Sequence, residues 1–247
     1  MSNPESPTFL HALSYDATAT LAATDANLWP VVFWCAISFL GAYMQYFGAI
    51  KNGFRDKTHA IPVGCNLWFF AHDTTFVMNF SHWFYTVDHW LMKAFWVMLV
   101  LFALLEATVI YQVLRYSRHK VFPGLTLPQA VGVYLLCQIA AYIAFWWFHQ
   151  IIEDPLYLLS FTTTVILTPV LTIPLMLQRN SQQGFSPFML WGYVFLAVGF
   201  YPWMYLVDPY FTSPLFVSLG VANIAIALVT LWMYYRLPRF QLSSEQV

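Results

Sequence analysis

The stretch NLWFFAHDTTF (residues 66–76) lies inside a long apolar run, yet it carries an amide, a histidine and a carboxylate: Asn66, His72 and Asp73. Whether these groups face a soluble core or a lipid bilayer decides the fold, and the composition answers. Hydrophobic residues make up 60% of the 247 and charged residues 9%, whereas a soluble domain carries about 25% charged residues. So few charges cannot cover a water-facing surface, so the bilayer is the main solvent. Working outward from Asp73, seven segments approach the ~20 apolar residues that a helix needs to cross the hydrocarbon. They are 29–50, 62–84, 94–114, 127–150, 156–177, 188–207 and 214–235. Pro128, Pro155, Pro187 and Pro214 fall near helix starts, where a missing N–H costs nothing. Pro169 and Pro174 lie inside the fifth segment and predict a kink there. The expected fold is all-α: a polytopic membrane protein of seven transmembrane helices.

Loop charges give an independent reading. With seven crossings, Lys51, Arg55, Lys57, Arg115, Arg118, Lys120, Arg179, Arg236 and Arg239 share one side, and Lys93 alone of the ten cations stands opposite, with Asp88, Glu153, Asp154 and Asp208. The positive-inside rule then places the N-terminus outside and the C-terminus in the cytosol. The organisation read from this is an extracytosolic segment 1–28, a membrane domain 29–237 and a cytosolic tail 238–247. The setting is multi-pass in a bacterial inner membrane or the endoplasmic reticulum. The first 28 residues hold no Lys or Arg, so no cleavable secretory signal is expected; no lipidation motif is read at either end. A net charge of −1 gives no reason to expect a nucleic-acid partner. Cys35, Cys65 and Cys137 fit neither a disulfide framework nor a zinc site.

Two acids fall at mid-span, Asp73 in the second segment and Glu106 in the third. An ionised carboxyl costs ~2.5–3.5 kcal/mol or more at the bilayer centre, so both are expected to be protonated, hydrogen-bonded or beside a wet cavity. A protonated carboxylic acid in an apolar pocket is a usable general acid. Asn66 stands seven residues before Asp73 on the same helical face, and Phe69, Phe70 and Phe76 occupy the same stretch. Thr162, Thr163, Thr164 and Asn223 are the other polar groups near mid-depth. If these converge, they form an aromatic-walled pocket for a greasy ligand; otherwise such residues bind helix to helix. His72 is adjacent to Asp73 and so points about 100° away on a helix. His82, His89 and His149 gather with Asp88, Glu153 and Asp154 near the outer ends, without the spacing of a di-iron oxygenase. The last segment has no lysine for a retinal Schiff base.

Three stretches resemble a known family. IKNGFRDKTHAIPVGCNLW (50–68) looks like the first cytosolic loop and second helix of the integral-membrane terpene cyclases of fungal meroterpenoid and indole-diterpene pathways and their bacterial relatives. LLEATVIYQVLRYSRHK (104–120) resembles their third helix, and LQRNSQQGFSPFMLWGYVFLAVG (177–199) their fifth loop and sixth helix. The resemblance implies seven helices and acid-initiated cyclisation of a prenyl chain without a metal or other cofactor, the cation being stabilised by aromatic faces. Glu106 matches the family's acidic position in the third helix. The family's Trp–Glu pair falls here at Phe69–Phe70, which cannot give a proton, and its acid in the last helix has no counterpart, Asn223 being the nearest polar residue.

The expected function is therefore acid-initiated cyclisation or isomerisation of a lipophilic, isoprenoid-like substrate entering from the bilayer. Asp73 would be proton donor, aided by Glu106 and Asn66, with Trp68, Phe69, Phe70, Phe76, Thr163 and Asn223 shaping the pocket. Upstream biosynthetic enzymes are candidate partners. Two alternatives stay open: an acid–base hydratase, hydrolase or isomerase using His72 or His149 with a carboxylate, and a proton-coupled carrier or non-enzymatic membrane subunit. Ten glycines and no visible internal repeat count against a carrier.

Overall fold

The computed structural model describes residues 15–241; the first half of the segment 1–28 and the end of the tail, 242–247, lie outside them. The described chain is helical throughout: α1 (Ala17–Ala26), α2 (Leu28–Arg55), α3 (Val63–Met78), α4 (Trp90–Tyr116), a single turn α5 (Arg118–Val121), α6 (Leu127–Ile151), α7 (Leu158–Arg179), α8 (Pro187–Val207) and α9 (Pro214–Arg236). Six of these, α2, α4, α6, α7, α8 and α9, are long and apolar enough to cross a membrane. Their starts carry the expected chemistry. Ser186 and Ser213 accept a backbone N–H at the heads of α8 and α9, each followed by proline, and Thr126 with Gln129 forms a capping box on α6. Helix α7 runs through both Pro169 and Pro174 as one helix.

The second predicted segment, 62–84, is built differently from the rest. Helix α3 has 16 residues, about 24 Å at 1.5 Å per residue. It stops at Asn79, whose amide turns back to the Thr75 carbonyl (3.1 Å), and the chain continues into a π-helical turn, His82–Val87. Trp83 holds that turn to α3 by donating to the Phe76 carbonyl (2.8 Å) and stacking on the Phe76 ring (4.2 Å between centroids). Within the predicted N-terminal segment, residues 17–26 form a helix, α1, tied to the same end of the bundle. Tyr15 donates to Asp154 (2.6 Å), Thr20 donates to Asp208 (3.3 Å), and Asp25 accepts from Trp90 (2.8 Å).

The outer surface is oily. Helix α6 buries one stripe, Ala130, Tyr134, Gln138 and Phe145, and exposes Leu135, Leu136, Ile139, Ile143, Trp146 and Trp147. A continuous apolar surface of that kind is untenable in water and is what a multi-pass protein presents to lipid. Inside, antiparallel α2 and α8 meet backbone to backbone. Gly41 lies against Gly192 and Leu196, and Gly199 against Ser38; a Cβ added at Gly192 would stand 2.6 Å from both the Gln45 nitrogen and the Gly41 carbonyl. Small residues permit this approach, which carries dispersion contacts where lipid removes the hydrophobic drive between helices. The seam fixes α2, and so presents the α2 residues Ala42, Gln45 and Tyr46 to α3 and α4.

Candidate functional site

Asp73 and Glu106, on neighbouring α3 and α4, line one cavity of about 30 Å³ with Gln45, Tyr46, Phe69, Phe102, Phe161, Thr164 and Thr168. That volume holds one or two water molecules, and a prenyl chain does not fit it. Glu106 is fully buried; its Oε1 accepts from the Tyr46 hydroxyl (2.7 Å), while its Oε2 has no partner. Gln45 Oε1 is likewise buried and unpartnered. A buried acceptor left alone costs ~1–3 kcal/mol, so two of them facing a cavity of this size is the arrangement a bridging water or a carboxyl proton satisfies.

Asp73 is held from its own helix. The Nδ1 of His72 lies 2.6 Å from Asp73 Oδ1 and both side chains are buried. The backbone directions of neighbouring helical residues do diverge by about 100°, but the imidazole is long enough to reach back across that angle, so the two act as a pair. The His72 ring is packed by Phe145 (5.5 Å), Phe161 (5.5 Å) and Tyr157 (5.8 Å), and its Nε2 has no partner. Beyond Tyr157 stands His149, 4.2 Å from it ring to ring.

Of the expected pocket residues, Asp73, Glu106 and Phe69 line the cavity and His72 supports Asp73 from behind. Asn66 lies next to the site as a brace: its amide accepts from Tyr134 (2.8 Å) and donates to the Glu106 carbonyl (3.4 Å), joining α3, α4 and α6. Trp68 faces the other way, donating to Thr163 (2.7 Å) and packing on Phe145 and Phe148; Thr163 borders a separate apolar groove of about 400 Å³ between α6, α7 and α9. Phe76 belongs to the Trp83 stack, Phe70 is half-buried away from the cavity, and Asn223 donates to Tyr201 (3.3 Å) on α8. The structure does not bring these last five residues to the acid pair: Trp68 and Phe70 lie on other faces of α3, Phe76 is one turn further along and covered by Trp83, and Thr163 and Asn223 sit on α7 and α9 against other partners. The polar cavity residues that sequence reasoning passed over are Thr168 on α7 and Gln45 and Tyr46 on α2; the last two are adjacent polar groups near the middle of α2, which is the signal that singles them out.

Of the outer groups, His89 lies 3.1 Å from Asp25, Asp154 accepts from Tyr15 and Ser160, and His149 packs on Tyr157 with its Nδ1 unpartnered. Among the described residues no group of three or more His, Cys, Asp or Glu side chains is arranged to hold a metal ion. No protein-family model, curated protein or solved structure matches the chain. The likeness to the terpene cyclases thus rests on the three stretches 50–68, 104–120 and 177–199.

Proposed function

We propose that the chain is a membrane enzyme that transfers a proton from Asp73 to a lipophilic, isoprenoid-like substrate and so starts its cyclisation or isomerisation. The observation that carries this reading is the paired Asp73: a carboxyl in the membrane interior with an imidazole on one oxygen and a ring-walled cavity on its other side. With Nδ1–H of His72 donating to Oδ1, the proton on Oδ2 is the transferable one. When it leaves for an alkene or epoxide, the carboxylate that remains keeps its hydrogen bond. Phe69, Phe102 and Phe161 offer faces to the cation that forms, and its quenching is loss of a proton to a carboxylate oxygen, either the Asp73 oxygen just vacated or the unpartnered Oε2 of Glu106. Because the cavity is only about 30 Å³, substrate admission requires these rings to part. In the same reading α3 and its π-helical extension complete a seventh crossing, which puts the N-terminus outside and the loops bearing Arg55, Lys57, Arg118 and Lys120 in the cytosol. Membranes containing the Asp73→Asn variant should turn over a prenylated alkene or epoxide 10²- to 10⁴-fold more slowly, the usual share of a general acid. Turnover equal to the parent's would remove Asp73 from the chemistry.

One observation favours a second reading, proton coupling without catalysis: a cavity that admits water but no substrate, between two carboxyls, is suited to a relay. Proteoliposomes separate the two. Proton uptake driven by a solute gradient, abolished in Glu106→Gln and without chemical change of the solute, would put the relay in place of the enzyme.

A further inference from the structure

A second hollow lies away from the acid pair. A groove of about 970 Å³ opens at the end of the bundle where α2 turns into α3, between the head of α3, α5 and the last turns of α7. One wall is apolar: Pro62, Val63, Leu171, Pro174 and Leu175. The other carries Arg179, Lys120, His59 and Gln183. Two cations meet there on one residue: Arg179 donates to the Gln183 carbonyl (2.9 Å) and Lys120 to the Gln183 side-chain oxygen (3.2 Å). Arg179 also donates to the His59 carbonyl (2.5 Å). Among the described residues neither cation has a carboxylate within ion-pair distance. The nearest acid, Asp56, is occupied by Arg55 (2.5 and 2.8 Å) and by the Gly184 N–H (2.8 Å). The head of α3 adds to this positive field. Pro62 provides no side-chain cap, so the first N–H groups of a 16-residue helix point to the groove at Val63 and Gly64. The field is felt locally: burial, then Arg179 and Lys120, push His59 down to about 3, which leaves it neutral.

We propose that this groove binds an amphiphile headed by an anionic phosphate monoester, the phosphate lying between Arg179, Lys120 and the head of α3, and the hydrocarbon chain along Val63, Leu171 and Leu175. The reasoning is charge complementarity combined with shape. Two uncompensated cations and a helix N-terminus want an anion, and the opposite wall wants a chain. A soluble anion would leave that wall wet, and a neutral lipid would leave the cations bare. This site is independent of the acid pair and stands whether or not Asp73 is catalytic.

The same head chemistry comes from two sources, a bilayer phospholipid or a prenyl phosphate, and the test separates them. Full-length protein is delipidated in a non-ionic detergent, and its thermal midpoint is followed with dioleoylphosphatidic acid, farnesyl phosphate, dioleoylphosphatidylcholine or inorganic phosphate. Phosphatidic acid or farnesyl phosphate should raise the midpoint by several degrees, and the tighter of the two names the source. Lys120→Gln, which touches no helix interior, should weaken that binding about tenfold; Arg179→Lys, which keeps the charge but loses the fork, should fall between. The proposal is overturned if phosphatidylcholine or inorganic phosphate stabilises equally, if no amphiphile shifts the midpoint, or if Lys120→Gln binds as the parent does.

Discussion

Along α2 and α8 the backbones touch through glycine, and neither helix carries an acid. Between α3 and α4, two buried carboxyls and a tyrosine border a space that side chains do not fill, with a histidine behind one of the acids. Both regions are buried, yet they differ in what holds them. The seam is secured by close packing and a Ser38 hydroxyl bond to the Leu196 carbonyl (3.4 Å), so any added atom is felt. The acid site keeps unpartnered oxygens and a small void, each of which lowers stability. A bundle that needed only to fold would place leucine where Glu106 stands. The contrast marks the seam as scaffold and the acid pair as the region that the proposed function would use.

That contrast can be broken by exchange of effects. The largest change is expected at the seam: Gly199→Leu must push Ser38 and the backbone of α2 away, which costs about 3 kcal/mol or more and should appear as loss of folded protein in detergent size-exclusion profiles. If Gly199→Leu folds with the parent's thermal midpoint, the seam is not the scaffold. Next comes the groove end. His59 accepts its proton only near pH 3 in the folded chain, against 6.5 ordinarily, so the unfolded chain takes up a proton that the folded one refuses. Stability present above pH 6.5 is therefore lost as pH falls toward 3, by on the order of 4–5 kcal/mol in full, and His59→Gln should flatten that slope in a midpoint-versus-pH series.

Within the acid site, Tyr46→Phe removes the one donor to Glu106 Oε1 and should cost about 2 kcal/mol. Asp73→Asn, by contrast, should leave the midpoint within about 1 kcal/mol, since an amide oxygen still accepts from His72. A collapse of stability in Asp73→Asn comparable to that of the seam variant would erase the distinction between the two regions. The smallest effect belongs to Gly132→Ala on the lipid-facing side of α6, where a Cβ meets nothing within 4 Å; helix propensity alone predicts a gain of about 0.5–1 kcal/mol.

Much of this was legible beforehand, and for identifiable reasons. Asp73 and Glu106 stood out because an acid at mid-span is costly wherever the helix faces. Asn66 was legible as polar but its role was not: only the position of Tyr134 on α6 makes it a brace. Phe76 and Trp68 were grouped with Asp73 because they are near it in the chain, whereas the 100° step of a helix turns Trp68 to another face and Phe76, one turn further on, is covered by Trp83. The glycines at 41, 48, 192 and 199 carried a readable signal, a spacing of seven in each helix, but its meaning depends on which two helices meet. The break after Met78 was hidden because apolar composition continues past it; what ends α3 is Asn79 turning on its own carbonyl and Trp83 folding back on Phe76.

By itself the sequence determined that this chain lives in lipid as a bundle of apolar helices, because composition and span length depend on no partner. It also determined that two acids must be sheltered at mid-depth. The tertiary structure alone decided that the two share one water-sized cavity, that His72 reaches Asp73, and that Arg179 and Lys120 meet without a counter-charge. Each of these depends on the rotation and approach of helices far apart in the chain, which packing sets and local pattern does not encode.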